Sequence, residues 1–546
     1  MSTNEALARR LHEMSVLMDL LGEDSFRASA HARAARAVES FPGDIASIAA
    51  DRDALLKVEG IGPKLAGKIQ EFCLTGAIIE HAELVAKVPP GILPLTEVSG
   101  LGPKTLRAIW QQGGVTDLAS FERALGDGTI AGLPRMGEKS VEKLRKALEF
   151  FKSQRAGAGG EGVVVSRLLL GFALPIAEAV VAHLGMHASP GTRIAFAGSL
   201  RRGKETIGDI DILAAPSDPA EGQKLTQAFC TMKGVEGVIS SGPTRSSVSM
   251  QLAGEFGRWG SKEARGAVQV DLKLVPPESW GAALMYFTGS KEHNVALRER
   301  ARKHKMTLNE YGLFPEDDPE RKLDPPQKRG VKPVCSADSE ETIYAALGLP
   351  FIPPEIREGS GELALSQTPR LIEVGDVKAE LHAHTTASDG RLSIQELAEE
   401  AMRRGFHTIA VTDHSRSSAV AGGLTVERLL EHIDAVRAAQ SKLKGIRILA
   451  GSEVDILADG RLDYPDEILE KLDIVVASPH AALSQDPQTA TARLLRAIEH
   501  PMVHILGHPS GRQLGRRPGL SPDMAVLYAA ARAHDVALEI NTHWIR

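Results

Sequence analysis

The sequence predicts a multidomain protein of mixed α and α/β class, and three observations carry that expectation. A chain of 546 residues exceeds what one hydrophobic core organises, which points to three or four domains. The first 155 residues read as helices, opening with Leu7, Leu11, Met14, Met18 and Leu21 at helical spacing, whereas short strand-like runs alternate with helices further on. Flexible or proline-containing stretches at 155–162 and 353–378 divide these regions and read as linkers.

Composition narrows the class. Cys73, Cys230 and Cys335 are odd in number and far apart, which fits a reducing compartment rather than a disulfide framework. No apolar run is read as a membrane span, and Met1 to Glu5 form neither a signal nor a transit peptide, so a cytoplasmic protein is expected. The net charge is −6, with the acidic excess in residues 337–546. A polyanion would therefore dock on the first two-thirds through local basic patches.

Within the helical region, Gly60-Ile61-Gly62-Pro63-Lys64 is repeated as Gly100-Leu101-Gly102-Pro103-Lys104, and Leu133 to Lys139 is a degraded third copy with Arg135 in place of the first glycine. Gly-apolar-Gly between two helices makes a tight turn whose amides face outward at the next helix N-terminus, a seat for phosphate. Two full copies, each with lysine after proline, resemble the helix-hairpin-helix motif, which grips the DNA backbone without reading sequence. That resemblance makes Gly60, Gly62, Lys64, Gly100, Gly102 and Lys104 candidate DNA contacts.

After the linker comes Gly198-Ser199-Leu200-Arg201-Arg202-Gly203, and then Gly208-Asp209-Ile210-Asp211. The alternation Asp209-Ile210-Asp211-Ile212 places both carboxylates on one face of a strand. So close a pair repels unless a cation sits between them. Gly198, Ser199, Arg202 and Gly208 supply amides, a hydroxyl and a guanidinium suited to phosphate oxygens. Metal beside a phosphate cradle implies phosphoryl or nucleotidyl transfer. On a later strand Gln269, Asp271 and Lys273 share a face, making Asp271 a candidate third carboxylate.

Tyr286-Phe287-Thr288-Gly289-Ser290 follows, then Asn294 and Arg298 one helical turn apart, and Asn309-Glu310-Tyr311. In this order the motifs of residues 4–315 resemble a family X DNA polymerase. The resemblance implies that Asp209 and Asp211 bind two divalent cations, Mg²⁺ or Mn²⁺, and that Asp271 binds the one activating the primer 3′-hydroxyl. It assigns the β- and γ-phosphates to Gly198, Ser199, Arg202 and Gly208, and the deoxyribose to Tyr286, Phe287 and Gly289. Asn294 would meet the incoming dNTP on its minor-groove edge, and Arg298 the template. Ile207 stands where relatives carry a phosphate-binding serine, so weaker contact is expected there. Lys68 occupies the position of the family's Schiff-base lysine, with His31 where relatives carry tyrosine; a low pKa would be required of it.

From residue 379 nearly every expected strand ends in a metal-type side chain: His382, His384 and Asp389, then His414, Glu453, His480 and His508. Ligands at successive strand ends are how a β/α barrel builds a site. His-x-His, Thr-Asp-His-Ser, Ser-x-His and Gly-His-Pro resemble the polymerase and histidinol phosphatase (PHP) domain. That family holds three Mn²⁺ or Zn²⁺ ions and hydrolyses phosphoesters, which implies a 3′→5′ exonuclease or 3′-end phosphoesterase here, with abasic-site cleavage as a further implied activity. The family continues to a seventh strand bearing Asp-x-His, whereas this sequence ends near a sixth. Glu453, His480 and His508 are expected to complete one metal position, and the other two each to lack a ligand, with His543 a poor substitute; an impaired nuclease is the expectation.

The expected domains are helical regions at 1–90 and 91–155, a polymerase-beta-like nucleotidyltransferase palm at 163–275, a thumb-like subdomain at 276–352, a linker at 353–378, and a TIM-like PHP barrel, C-terminally incomplete, at 379–546. The expected activity is gap-filling DNA synthesis by a monomer acting on gapped or primed DNA with dNTPs. A non-catalytic DNA-end scaffold and a template-independent nucleotidyltransferase are the rival readings.

Overall fold

The computed structural model describes residues 3–39, 41, 44–58, 60–98, 101–134, 136–138, 140–142, 144–145, 147–148, 167–218, 220–251, 267–316, 330–543 and 545. The expected linker at 155–162, and Gly100, Arg135 and Lys139 of the repeated turns, lie outside them. The chain forms two compact units, Met1–Leu11 with Arg33–Ile78 and Leu371–Arg546, and His12–Ala32 with Ile79–Arg370.

Helices Thr3–Leu21 and Ser25–Glu39 open the chain, and Leu7, Leu11, Met14 and Met18 are buried as their spacing requires. The repeated turns launch helices Pro63–Thr75 and Pro103–Gly113, with Gly62 and Gly102 at the N-cap and proline in the first turn. Proline is tolerated there because its missing N–H has no intrahelical acceptor. Both helices stop at a left-handed glycine, Gly76 and Gly114, which spares the strain a Cβ would bring.

The central region pairs β1 (Leu168–Leu169) with β3 (Thr206–Ile207). Its main sheet contains β2 (Arg193–Phe196), β4 (Ile210–Ala215), β5 (Val235–Ser241), β6 (Arg245–Gln251) and β7 (Ala267–Leu274), in the order β2-β4-β7-β6-β5. Only β4 and β7 run parallel, and their register sets Asp211 beside Asp271. Helices Leu170–His187 and Glu221–Cys230 cover one face, where Ile176, Val180, Leu225 and Phe229 share a core with Ile210, Ile212, Val270 and Leu272. Because neighbours along a strand point to opposite faces, the carboxylates are left on the other side. The absence of any membrane-like run is corrected here: Leu170–His187 is long and apolar enough to cross a bilayer. Its apolarity instead serves this core, which takes Ala173, Ile176, Ala177, Val180 and Leu184.

Helices Trp280–Thr288, Lys291–Lys303 and Glu340–Ala346 surround the hairpin of β8 (Met306–Asn309) and β9 (Gly312–Pro315). The expected linker from 353 is not a loose tether in its first half. Arg357 has no exposed surface and donates to Glu340 at 2.6 Å, while Glu362 lies 2.6 Å from the buried His293. Residues 353–362 form a strap inside this subdomain, because a buried guanidinium needs a carboxylate partner and Glu340 supplies it.

The C-terminal sheet takes β10 (Ala379–Ala383), β11 (Thr408–Val411), β12 (Arg447–Asp455), β13 (Ile474–Ser478), β14 (Ile505–Leu506) and β15 (Ala537–Leu538) in sequential order, all parallel. Six flat strands would separate the outer two by about 24 Å. Yet His382 in the first strand lies 2.6 Å from Glu539, just after the last, so the sheet curls into a half-barrel.

Removing Glu340 would leave Arg357 buried without its counter-charge. Glu340→Ala is expected to destabilise the polymerase-like unit by about 3–5 kcal/mol, read as a lowered unfolding midpoint. Breaking the exposed Arg145–Glu142 pair should shift it by less than about 1 kcal/mol.

Candidate functional site

At the repeated turns, Gly60 adopts φ 92°, a conformation that favours glycine. Gly62 and Gly102 are extended, and a Cβ on either would meet nothing within 4 Å. The fold itself does not demand glycine at these two places; an external group approaching the backbone would. Lys64 and Lys104 are exposed beside them, which suits phosphate contact. Lys68 is half-buried one turn beyond Lys64, and His31 is buried with Nδ1 2.8 Å from the Arg27 carbonyl.

The carboxylates of the central sheet form a charged cluster held by neighbouring cations. Lys273 Nζ donates to Asp211 at 3.1 Å, while Arg245 and Gln269 donate to Asp271, which is 1% exposed. Asp209 is pushed above the usual carboxylate range, first by desolvation and then by Asp211 and Asp271. Such mutual destabilisation is what a bound cation relieves, and an all-carboxylate donor set suits a hard ion. Among the described residues the three are not one of the groups whose donor atoms lie within 4.8 Å of one another; Lys273 and Arg245 offset their charge.

Gly198 starts the short helix Gly198–Arg201 at φ 63°, and a Cβ on it would come 2.4 Å from Asp211 Oδ2. Ser199 is half-exposed beside it, and Arg167 donates to the Thr206 carbonyl and reaches Gly208. Ile207 is fully buried opposite Leu168, so no side-chain phosphate contact arises there. Arg202 does not point into open solvent: it donates to the Thr288 carbonyl at 2.6 Å and to Glu358 at 2.9 Å. Phe287 lies beneath Lys273, 3.9 Å from its Nζ, and Tyr286 stands edge-on to Phe287. The Gly289–Ser290 peptide is cis. Asn294 donates to the Tyr286 carbonyl at 2.7 Å, and Arg298 reaches back to Asn294.

In the C-terminal sheet Glu453, 1% exposed, is the hub. Its oxygens lie 3.2 Å from His382, 3.6 Å from His384, 2.9 Å from His414, 3.3 Å from His480 and 2.8 Å from His508. Asp389 lies 3.4 Å from His384 and 3.5 Å from His414. Two triads bring their donor atoms within 4.8 Å, namely His382-Glu453-His508 and His384-His414-Glu453. The expected grouping of Glu453, His480 and His508 differs from both, although His480 Nε2 lies 3.3 Å from Glu453. His543 is exposed.

Burial alone would lower the His382 pKa, but hydrogen bonds to Glu453 and Glu539 outweigh it and hold the ring up at about 10. The same contest raises His414 to about 9, with Asp389 and Glu453 as partners, whereas burial prevails at His384 and takes it down to about 4. Glu453 stays well below the carboxylate range despite burial, because four imidazoles crowd around it. His382 and His480 each turn Nδ1 to a carboxylate, Glu539 and Asp455, which fixes the ring and aims Nε2 inward, the arrangement of a metal-ligating histidine. Among the described residues, the buried Glu453 Oε1, His384 Nδ1 and His480 Nε2 lack a hydrogen-bond partner of good geometry. The donor set therefore fits borderline metal ions.

Residues outside the motifs complete both sites. Asp455 shares a strand face with Glu453 two residues earlier, a legible signal. Glu539, Arg245 and Arg167 carried none. Asp413 accepts from Thr385, Ser388 and His432, so it fixes the turn bearing Asp389 rather than facing the cluster.

The chain matches the helix-hairpin-helix domain over residues 2–78, the SAM-like helix-hairpin-helix tandem over 92–149, the DNA polymerase beta thumb over 283–358 and the PHP domain over 380–543. It is 35% identical to the DNA polymerase/3′-5′ exonuclease PolX of Bacillus subtilis, over 98% of this chain and 87% of that protein. The chain belongs to the PolX family of bacterial family X DNA polymerases. A probable phosphatase of Syntrophotalea carbinolica is 33% identical over 30% of the chain and 65% of its own length. DNA polymerase lambda of Rattus norvegicus is 26% identical over 61% and 53%. As a PolX-family member the chain is a DNA-directed DNA polymerase with a PHP domain, and it is metal-dependent. Gly198→Ala should cut primer extension about a hundredfold, the effect of moving a reacting group by roughly 1 Å, with gapped-DNA binding retained in a filter assay.

Proposed function

We propose that the chain fills short gaps in DNA by template-directed nucleotidyl transfer, and that its PHP site trims 3′ ends. The in-register pair Asp211 and Asp271, with Asp209 just before the strand, is the observation that carries the first activity. Mg²⁺ or Mn²⁺ held by these three would neutralise charge on the attacking and leaving oxygens. The chain's own groups do the rest. The helix-hairpin-helix turns hold the DNA backbone through Gly60, Gly62, Gly102, Lys64 and Lys104. Gly198, Ser199, Arg202 and Gly208 orient the triphosphate of a dNTP. Tyr286, Phe287 and Gly289 bear on the sugar, Asn294 on the base edge and Arg298 on the template.

In the PHP domain, Mn²⁺ or Zn²⁺ would be held by His382, Glu453 and His508, by His384, His414 and Asp389, and by His480, and would supply a nucleophilic hydroxide for phosphoester hydrolysis. Glu539 and Asp455 keep His382 and His480 oriented, and protonated imidazoles must release their protons on loading. Lys68 joins the reading as the amine that attacks an incised abasic sugar. The protein works as a monomer in the cytoplasm.

On a one-nucleotide gap with Mg²⁺, the wild-type chain should add the templated nucleotide. Asp271→Ala should lose extension by at least about a thousandfold and keep DNA binding. Addition of any nucleotide offered would favour a template-independent transferase, and binding without extension by the wild type would favour a scaffold. With Mn²⁺, 3′-end degradation should be present, though weak as an impaired nuclease implies, and vanish in His384→Ala; no degradation by the wild type would sink the nuclease half.

A further inference from the structure

The two arginines of the Gly198–Gly208 loop have opposite surroundings. Arg201 is tied by two bonds of 2.9 and 2.7 Å to Glu340, which is buried and also holds Arg357. Arg202 is anchored at one edge, where Nη1 donates to the Thr288 carbonyl, and at its Nε edge it meets a single carboxylate oxygen of Glu358 at 2.9 Å. The Glu358 side chain is 29% exposed, and its other oxygen lies 3.7 Å from Lys204, a second cation of the same loop. Glu358 thus pairs with Arg202 of the phosphate cradle and approaches Lys204 of the same loop.

A guanidinium edge engaged by carboxylate cannot take a phosphate oxygen at the same time, and a carboxylate left beside a polyanion is repelled. The strap around Glu358 is pinned: the Arg357 carbonyl accepts from Ser290 N–H at 3.0 Å, and Glu362 accepts from the amides of Gly359 and Ser360. The mobile part is therefore the Glu358 side chain, which has solvent beside it. Arg202 would keep its Thr288 anchor when Glu358 swings away, so it needs no carboxylate to stay in place.

We propose that Glu358 competes with the incoming triphosphate for Arg202, and that displacing it sets the nucleotide affinity of the polymerase site. This rests on the reading of Arg202 as a phosphate ligand. Glu358 is a positioning residue of opposite sign to its neighbours: it offsets part of the positive charge of Arg202 and Lys204, and a ligand must carry enough negative charge to replace it. Substrates with fewer phosphate charges would displace it less well, so the residue also selects for the triphosphate.

The test uses the whole chain with gapped DNA, measuring the KM for the templated dNTP and the inhibition constant of inorganic tripolyphosphate for wild type, E358Q, R202A and the double variant. E358Q keeps the size of the side chain and should lower both constants about twofold to fivefold, the range for releasing a partly exposed ion pair. R202A should raise both, and adding E358Q to it should change little. An unchanged or raised KM in E358Q, with R202A still impaired, would show that Glu358 merely supports Arg202 and would overturn the proposal. An R202A enzyme with unaltered KM and inhibition constant would instead remove the phosphate role of Arg202. Melting curves of E358Q and wild type separate misfolding from either outcome, and E358A provides the same charge loss if E358Q is unstable.

Discussion

Everything in the polymerase half depends on the register between two parallel strands. Pairing of Asp211 with Asp271 puts two carboxylates on one side of the sheet and Ile210, Ile212, Val270 and Leu272 on the other. A slip of one residue would drive a carboxylate into a core built on Leu225 and Phe229 and expose the isoleucines, so burial fixes the register and the register fixes the site. The remaining pieces are arranged around that pair. Gly198 is small because Asp211 is close, and Lys273 and Arg245 balance charge that the fold has forced together.

The C-terminal half confronts the opposite problem. There the buried carboxylate of Glu453 is surrounded by imidazoles, and its charge is tolerated because it lies close to so many nitrogens. Asp455 and Glu539 stand behind two of those rings and decide which nitrogen faces inward. One half gathers anions and leaves room for cations; the other gathers neutral-to-cationic rings around one anion. Both arrangements offer donor sets that suit metal ions, in keeping with the metal dependence of the PolX family.

Much of this could be read from the residues. Asp-x-Asp on an alternating strand, glycines ahead of it and His-x-His after a strand are local patterns, and local patterns survive in sequence. The PHP resemblance implied a barrel, but the contact its curl makes between His382 and Glu539 was not legible, since the two residues lie far apart in the chain. Nor were Arg245 and Arg167, ordinary surface residues until the fold places them. The helix Leu170–His187 is apolar enough for a membrane, and only its packing in the sheet's core shows what that apolarity serves. The stretch after Pro353 misled for a plain reason: Pro, Gly and Ser signal a turn-rich path but say nothing about whether that path is buried. Arg357 and Glu362 were the clues, and they became interpretable only once Glu340 and His293 stood opposite them.

That strap changes where the protein can be divided. A boundary drawn at Pro353 would strip the thumb-like subdomain of Arg357 and Glu362, leaving Glu340 and His293 facing voids in a core that also holds Tyr344. A stand-alone polymerase fragment, or a chimera carrying a different nuclease, must keep the chain to at least Ala364, the end of the last turn of the strap. The end of the thumb-like subdomain thus lies later than the composition suggests.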